Sequence, residues 1–431
     1  MIILNQLRYM SWFLLDKLGK DSIYDRKIHI KKCIENDSFY KDYIEEKLNE
    51  ILSYANENVE FYKDFKGNLK DFPVINKNII MENHDLFQSK EFCGKKLHQM
   101  STSGSTGFPF KVVQDSNKRK QVLAEIMYFS ELVGYKVGKK LVYLRNLESH
   151  LAKSNFKQFL QNETIISTQK YDDITLEEIT RQLLSLEKNT TILGYASTLQ
   201  MIASYMSRNN IVAKNVTGII SGAEAITSKT RKLVKEQFNC PVVSRYSNQE
   251  MGILAQDFNE DEFLLNRASY YFEILKMDSD EKANYGEMGR IVITDLYNNA
   301  MPLIRYDTGD LGIMKLDDNG KEYLAKVFGR KLDLLYTTKD EPISFFALDE
   351  FFENNYDIEQ YQIVQNDRYK IEINLIMKQG KTIDITWVQR CVKSVMGEDC
   401  NVDVHFLNTV PITNSGKFRY VICNYKPNEE K

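Results

Sequence analysis

Three short, strongly apolar segments, LVYLRN from Leu141, TTILGYA from Thr190 and VTGIISG from Val216, alternate with helical patterns at residues 179–186, 199–208 and 228–238. Strands this uniformly apolar need cover on both faces, and parallel neighbours need a crossover long enough to be a helix. The alternation predicts an α/β fold: a large N-terminal domain of doubly covered mixed or parallel sheets. Ligands of such sheets lie at the carboxyl ends of the strands. SGAE, residues 221–224, and RYSNQE, residues 245–250, both fall there.

The flanking segments complete the outline. Apolar positions at helical spacing make residues 28–66 a helical lead-in, and DFPVINKNII, residues 71–80, a turn before another helix. Residues 110–114 read as a strand, from the β-branched Val112 and Val113, and 118–132 as a helix. Short alternating strands make residues 268–328 a β-rich subdomain. Residues 330–431 read as a small α+β domain, with helices at 347–354 and 385–395 and strands at 361–364, 371–377 and 402–406. The expected division is 1–329 and 330–431.

Between lead-in and sheet lies STSGSTGFPFK, Ser101 to Lys111. Gly104 and Gly107 permit backbone turns closed to other residues, so successive N–H groups can face one anion, with Ser103, Ser105 and Thr106 adding hydroxyl donors. This reads as a phosphate loop of unusual spacing, with a plain surface loop as the alternative for the stretch taken alone. Neither GxxxxGK[ST] nor GxGxxG occurs, which argues against kinase, GTPase and Rossmann dehydrogenase readings.

A formal net charge of -3 supplies no field for nucleic acid. The six cysteines include no CxxC pair and do not cluster with the five histidines. Reduced thiols, a cytoplasmic protein and no structural zinc follow. In the first twenty residues Arg8, Asp16 and Lys17 interrupt an apolar run too short for a spanning segment or a signal core. A packed or partner-facing amphipathic helix is expected there, with transient membrane contact as the alternative.

Four further pieces follow the loop in order: YSNQE, RYDTGDL, FGRKLDLL and PITNSGKFR. With NENVEFYKDF, DFPVINK, LGYASTLQ, SGAEAIT and GEMGRIVITDL, they resemble the adenylate-forming superfamily of acyl-CoA synthetases, peptide-synthetase adenylation domains and luciferases. Within it the chain is most similar to the short branch of phenylacetate-CoA ligases and CapK-type capsular polysaccharide proteins. The likeness runs from about Ala55 to Arg419.

That resemblance implies ATP and Mg²⁺ as cofactors and a mobile C-terminal domain. Ser103, Gly104, Ser105, Thr106 and Gly107 match the loop holding the β- and γ-phosphates. Gly222, Ala223 and Glu224 match the adenine pocket, Tyr246 the aromatic residue against the purine, and Glu250 the acid that holds Mg²⁺. Asp310 matches the carboxylate that binds both ribose hydroxyls, Arg330 an arginine on ribose or phosphate, and Lys417 the lysine required for adenylation. Catalysis would rest on Lys417, Thr106 and Glu250. Tyr195, in GYAS, either lines an acyl pocket or belongs to the core.

The implied activity is ATP-dependent activation of a small carboxylic acid as its acyl-adenylate, with release of pyrophosphate. The acyl group then passes to CoA, a carrier-protein phosphopantetheine thiol, or an amine or hydroxyl of an amino acid or sugar. A scaffold that binds nucleotide without catalysis is the competing reading; the retention of Glu250, Asp310 and Lys417 argues against it. Three departures stand out. Phe110 separates Pro109 from Lys111, a change expected to touch only the loop's outer edge. Ser247 and Gln249 replace a usual glycine and threonine. Leu332 replaces an acid beside Arg330, and the following hairpin lacks glycine, so adenylation is better supported than thioester formation.

Overall fold

The computed structural model describes residues 2–102, 110–145, 154–168, 172–259, 262–330, 334–343, 346–353, 355, 357–407, 419–425 and 427. Its centre is an eleven-stranded sheet. In spatial order the strands are Tyr270–Leu275, Met288–Asp295, Tyr306–Leu316, Glu322–Arg330, Glu262–Leu265, Gly252–Asn259, Val242–Asn248, Val216–Gly222, Thr190–Tyr195, Leu141–Arg145 and Glu163–Ser167. The last five are parallel, as the crossover pattern requires. At the hairpin joining Val242–Asn248 to Gly252–Asn259 the sheet turns antiparallel.

The parallel half is covered on both faces, as expected. Ile192, Ile219 and Val242 pack into one core with Leu176, Leu199 and Val234 of the crossover helices Asp173–Leu184, Ala196–Arg208 and Ser228–Phe238. Their chain neighbours Leu193, Ile220 and Val243 face the other side, against Val133. One residue's step along a strand switches faces, so uninterrupted apolar runs serve both layers. The cover at Val133 is close: a Cβ on Gly218 would lie 2.3 Å from the Val133 carbonyl oxygen.

The β-rich segment is no separate sheet. Its strands join the parallel half through Glu262–Leu265, which pairs with Glu322–Arg330 and Gly252–Asn259. A two-stranded hairpin, His98–Thr102 with Phe110–Gln114, flanks it. Beyond residue 334, helices Phe346–Glu353 and Ile385–Met396 cover a four-stranded sheet with its own core, including Leu348, Ile363, Ile373 and Val392.

The lead-in is three helices, Ile2–Leu18, Ile23–Glu35 and Asp37–Asn58. The second packs on helix Ser116–Glu131 through Ile30, Ile34, Ala124 and Phe129. His29 is enclosed edge-on by Phe39 and Tyr43. Burial, aided by Lys32, Lys47 and Arg26, pushes its pKa below the ordinary 6.5. The unfolded chain therefore takes up the proton first, and stability is full above that value and lost as pH falls beneath it. The difference in unfolding midpoint between wild type and His29→Gln is expected to shrink from pH 7.5 to 5.5, as calorimetry would measure.

Candidate active site

The turn after Val242–Asn248 is where the sheet changes from parallel to antiparallel, and it carries Glu250. Its side chain is 3% exposed, a setting that demands partners for a carboxylate. Tyr306 donates to Oε1 at 3.1 Å, and the Lys77 ammonium lies 3.0 Å from the same oxygen. Oε2 has no hydrogen bond among the described residues. Gln114 Nε2 donates to the Glu250 carbonyl at 2.8 Å, fastening the hairpin beside the turn.

A second cluster lies along the strand that bears Tyr306. Tyr246 donates to Asp310 Oδ2 at 2.8 Å, with the Thr308 hydroxyl 3.3 Å away. Thr308 donates to the Ile291 carbonyl and accepts from the Asp310 N–H, while Gly309 takes a positive φ of 79°. This local hydrogen-bonded turn re-aims Asp310 within the strand. Burial first, then Glu250, raises the Tyr306 pKa well above its usual value; burial and Asp310 do the same for Tyr246. Both phenols therefore stay protonated and act as donors.

Gly222 is in register with Tyr195 on one side and Arg245 on the other, so two parallel strands end together beside Arg245, where the third continues to Asn248. Ala223 takes φ 65°, a strained conformation for a residue with a Cβ. Glu224 then accepts from the Ser197 N–H at 2.9 Å, supplying the acceptor that helix Ala196–Arg208 lacks at its own N-cap. Asp310 and Arg330 are direct partners across neighbouring strands.

Glu250, Tyr246 and Asp310 are thus brought together by side-chain contacts between strands that are not neighbours in the sheet, with the backbone of Arg330 paired to Asp310 and with Gly222, Ala223 and Glu224 at the end of the strand beside that of Tyr246. Ser103, Gly104, Ser105, Thr106, Gly107 and Lys417 lie outside the described residues. The strands flanking the loop can be followed: Thr102 pairs with Phe110, whose ring stacks on Tyr306 at 6.3 Å and 5°. Phe110 is 2% exposed and Lys111 faces solvent on the opposite side of the strand. The Phe110 departure therefore reaches the Glu250 cluster rather than only the loop's edge.

Sequence reading assigned no role to Lys77, Tyr306 or Thr308. Each stood inside a quoted motif, DFPVINK or RYDTGDL, but only folding shows that Lys77 meets a carboxylate 173 positions away. Among the described residues no cluster of three His, Cys, Asp or Glu side chains could hold a metal. A single carboxylate with an open oxygen still suits Mg²⁺, which commonly takes one or two carboxylates and fills its shell from substrate phosphates and water.

This architecture is that of adenylate-forming ligases. The fold matches the crystal structure of 2-hydroxyisobutyryl-CoA ligase in the postadenylation state with an acyl-adenylate bound: TM-score 0.74, 16% identity, covering 91% of each chain. The same enzyme in its thioesterification state gives 0.55. ATP-bound MatB from Rhodopseudomonas palustris matches at TM-score 0.53 and 14% identity, over 74% of this chain and 65% of that one. By sequence the chain is similar to CapK-type proteins. Residues 335–424 match the family model of the CapK C-terminal domain, and Protein CapK of Staphylococcus aureus is 26% identical over 94% of this chain and 92% of its own length.

Lys77 is 37% exposed, so its pairing with Glu250 is worth less than a wholly buried ion pair. Lys77→Met, which leaves the buried carboxylate short of a charged partner, is expected to cost about 1–3 kcal/mol in denaturant unfolding. Lys77→Arg should recover most of that loss.

Proposed function

We propose that the protein activates a small carboxylic acid with ATP, forming an acyl-adenylate and releasing pyrophosphate, and then passes the acyl group to an acceptor. The carrying observation is the closed set of contacts that brings Glu250, Tyr306, Asp310 and Tyr246 together at the point where the sheet changes direction. The acyl-adenylate held by a structural neighbour of the same fold supports this reading.

In this reading a substrate carboxylate oxygen bonds to the α-phosphorus as the bond to the pyrophosphate oxygen breaks. Two anions must approach one another, so cationic and N–H groups have to be in position beforehand. Lys417 offsets charge at the attacking oxygen, as a point cation on a long stem. Ser103, Gly104, Ser105, Thr106 and Gly107 hold the terminal phosphates. Asp310 accepts from ribose hydroxyls, Tyr246 lies against the purine, Gly222, Ala223 and Glu224 border the adenine, and Arg330 reaches ribose or phosphate. Mg²⁺, held by Glu250, would neutralise charge on the departing pyrophosphate. Lys77 keeps the Glu250 carboxylate oriented.

Residues 330–431 act as a mobile domain against 1–329. Support comes from their separate core and from a polar seam. Gln200 and Lys229, in the first turns of their helices, donate to the carbonyls of Glu359, Asn355 and Ile358. Tyr420, three residues past Lys417, donates to Gln200 at 3.2 Å. Helix N-termini follow strand carboxyl ends, so this seam borders the ligand side of the sheet. The final acceptor is CoA, a carrier-protein thiol, or an amine or hydroxyl of an amino acid or sugar, in surface polysaccharide biosynthesis.

Exchange of labelled pyrophosphate into ATP should depend on one acid within a panel of aryl, fatty, hydroxy and amino acids. Lys417→Ala is expected to lower it on the order of 10²–10³-fold. ATP binding with no exchange across the panel would overturn the reading in favour of a non-catalytic scaffold.

A further inference from the structure

Helix Ile2–Leu18 is mounted with its aliphatic side outward. Asn5, Arg8, Tyr9, Trp12, Phe13 and Asp16 are the partly covered positions. Ile3, Leu7, Met10, Leu14 and Leu18, spaced three or four apart, are 53–83% exposed, with Leu4 and Leu15 beside them. A helix on a water-soluble surface ordinarily has the reverse arrangement.

Polar contacts fix this orientation. Asn5 bonds to Glu187 and accepts from Asn162, Arg8 donates to the Phe159 carbonyl and lies over its ring, and Asp16 takes Ser22 Oγ and the N–H groups of Ile23 and Tyr24. The helix backbone is pressed onto Gly138, where a Cβ would lie 2.4 Å from the Asn5 carbonyl oxygen. The neighbouring helix Asn155–Gln161 continues the outward apolar surface with Phe156, Phe159 and Leu160, each more than half exposed.

The charge around this surface is one-sided. Arg8, Lys17, Lys20, Lys136, Lys139, Lys140 and Lys157 come from residues 2–20, 134–140 and 154–162, whose only carboxylate is Asp16. The acids that reach the helix are engaged: Asp16 as above, Glu187 by Asn5 and Asn162, Asp25 by Lys17, and Glu131, whose charge is felt at Tyr9, by Lys27. A second copy seated face to face would oppose two basic rims, whereas an anionic surface complements one. No described helix is long and apolar enough to span a bilayer.

We propose that helices Ile2–Leu18 and Asn155–Gln161 form a docking face for the surface of an anionic phospholipid bilayer. The aliphatic side chains enter the boundary between headgroups and acyl chains, and the basic rim rests on the lipid phosphates. This assignment is independent of the proposed reaction.

The test is co-sedimentation of the full chain with vesicles of phosphatidylcholine alone or mixed with phosphatidylglycerol. Wild type should bind the mixed vesicles, and binding should fall at least about tenfold on pure phosphatidylcholine or in high salt. Leu7→Glu with Leu14→Glu should abolish binding without moving the unfolding midpoint, since both positions are already exposed. Lys20→Gln and Lys157→Gln should each weaken binding about fivefold. Failure to sediment with any vesicle, or equal binding by wild type and the double variant, overturns the proposal. So does a lipid-free dimer, seen by sedimentation velocity, that the double variant loses; that result would make a second copy the occupant.

Discussion

A carboxylate with 3% exposure in the turn where a sheet reverses its strand direction is held by one phenol and one ammonium. Much of the surrounding structure serves that arrangement. Tyr306 reaches Glu250 from the strand that carries Asp310, so the position of one acid fixes the position of the other. Lys77 arrives from the short helix Lys77–Glu82, whose first turn is capped by the Asn76 side chain. Ile75 pairs with the Tyr306 strand, with its N–H on the Arg305 carbonyl and its own carbonyl taking the Asp307 N–H. The lead-in thus delivers a cation to a turn formed far along the chain.

Behind the turn lies a second buried network. Lys118, fully buried in helix Ser116–Glu131, meets Asp295 at 2.8 Å and Tyr270 at 3.0 Å. Tyr270 is in hydrogen-bond contact with Glu125, which accepts the Ile253 N–H. Burial raises the Glu125 pKa, with the Lys118 charge opposing that shift. Ions so far from water persist only where each has close partners, and removing one leaves the others exposed to a large desolvation cost. Their geometric effect is to hold Gly252 and Ile253 against the helix, so the Glu250 turn is supported from beneath. Gly252, at φ 137° and with Glu125 Oε2 2.6 Å from where its Cβ would be, has no room for a side chain.

What could be read from sequence depended on whether the signal was local. Strand Phe110–Gln114 and helix Ser228–Phe238 have the expected limits, because β-branched alternation and Thr227 as N-cap are decided within a few residues. His98–Thr102, with its polar run HQMST, lacks a comparable pattern and becomes a strand through its partner. Gly252–Asn259 was likewise hidden, since it joins the two halves and its importance lies in the pairing on both sides. The ordered motifs identified Glu250, Tyr246 and Asp310 as a set, but their contacts run through Lys77, Tyr306 and Thr308, which have no local signature. That the β-rich segment shares the sheet of the parallel half was not legible, because alternation reveals strands and not their neighbours.

The departures from the resembled family can be weighed by backbone conformation. Ser247, where the resemblance leads one to expect glycine, has no positive φ, and the ladder is irregular between Tyr246 and Ser247. A side chain there incurs no left-handed strain, and Ser247 and Gln249 are both exposed. Ala223 is the opposite case: a Cβ is retained at φ 65°, between a strand end and an acid that binds a helix N-terminus. Strain of this kind lasts only where both neighbours are fixed, and here Gly222 is locked in register and Glu224 is bonded. The changed positions in the Tyr246–Glu250 segment are therefore tolerant ones, whereas the strained position is tied directly to the framework on which the proposed nucleotide site depends.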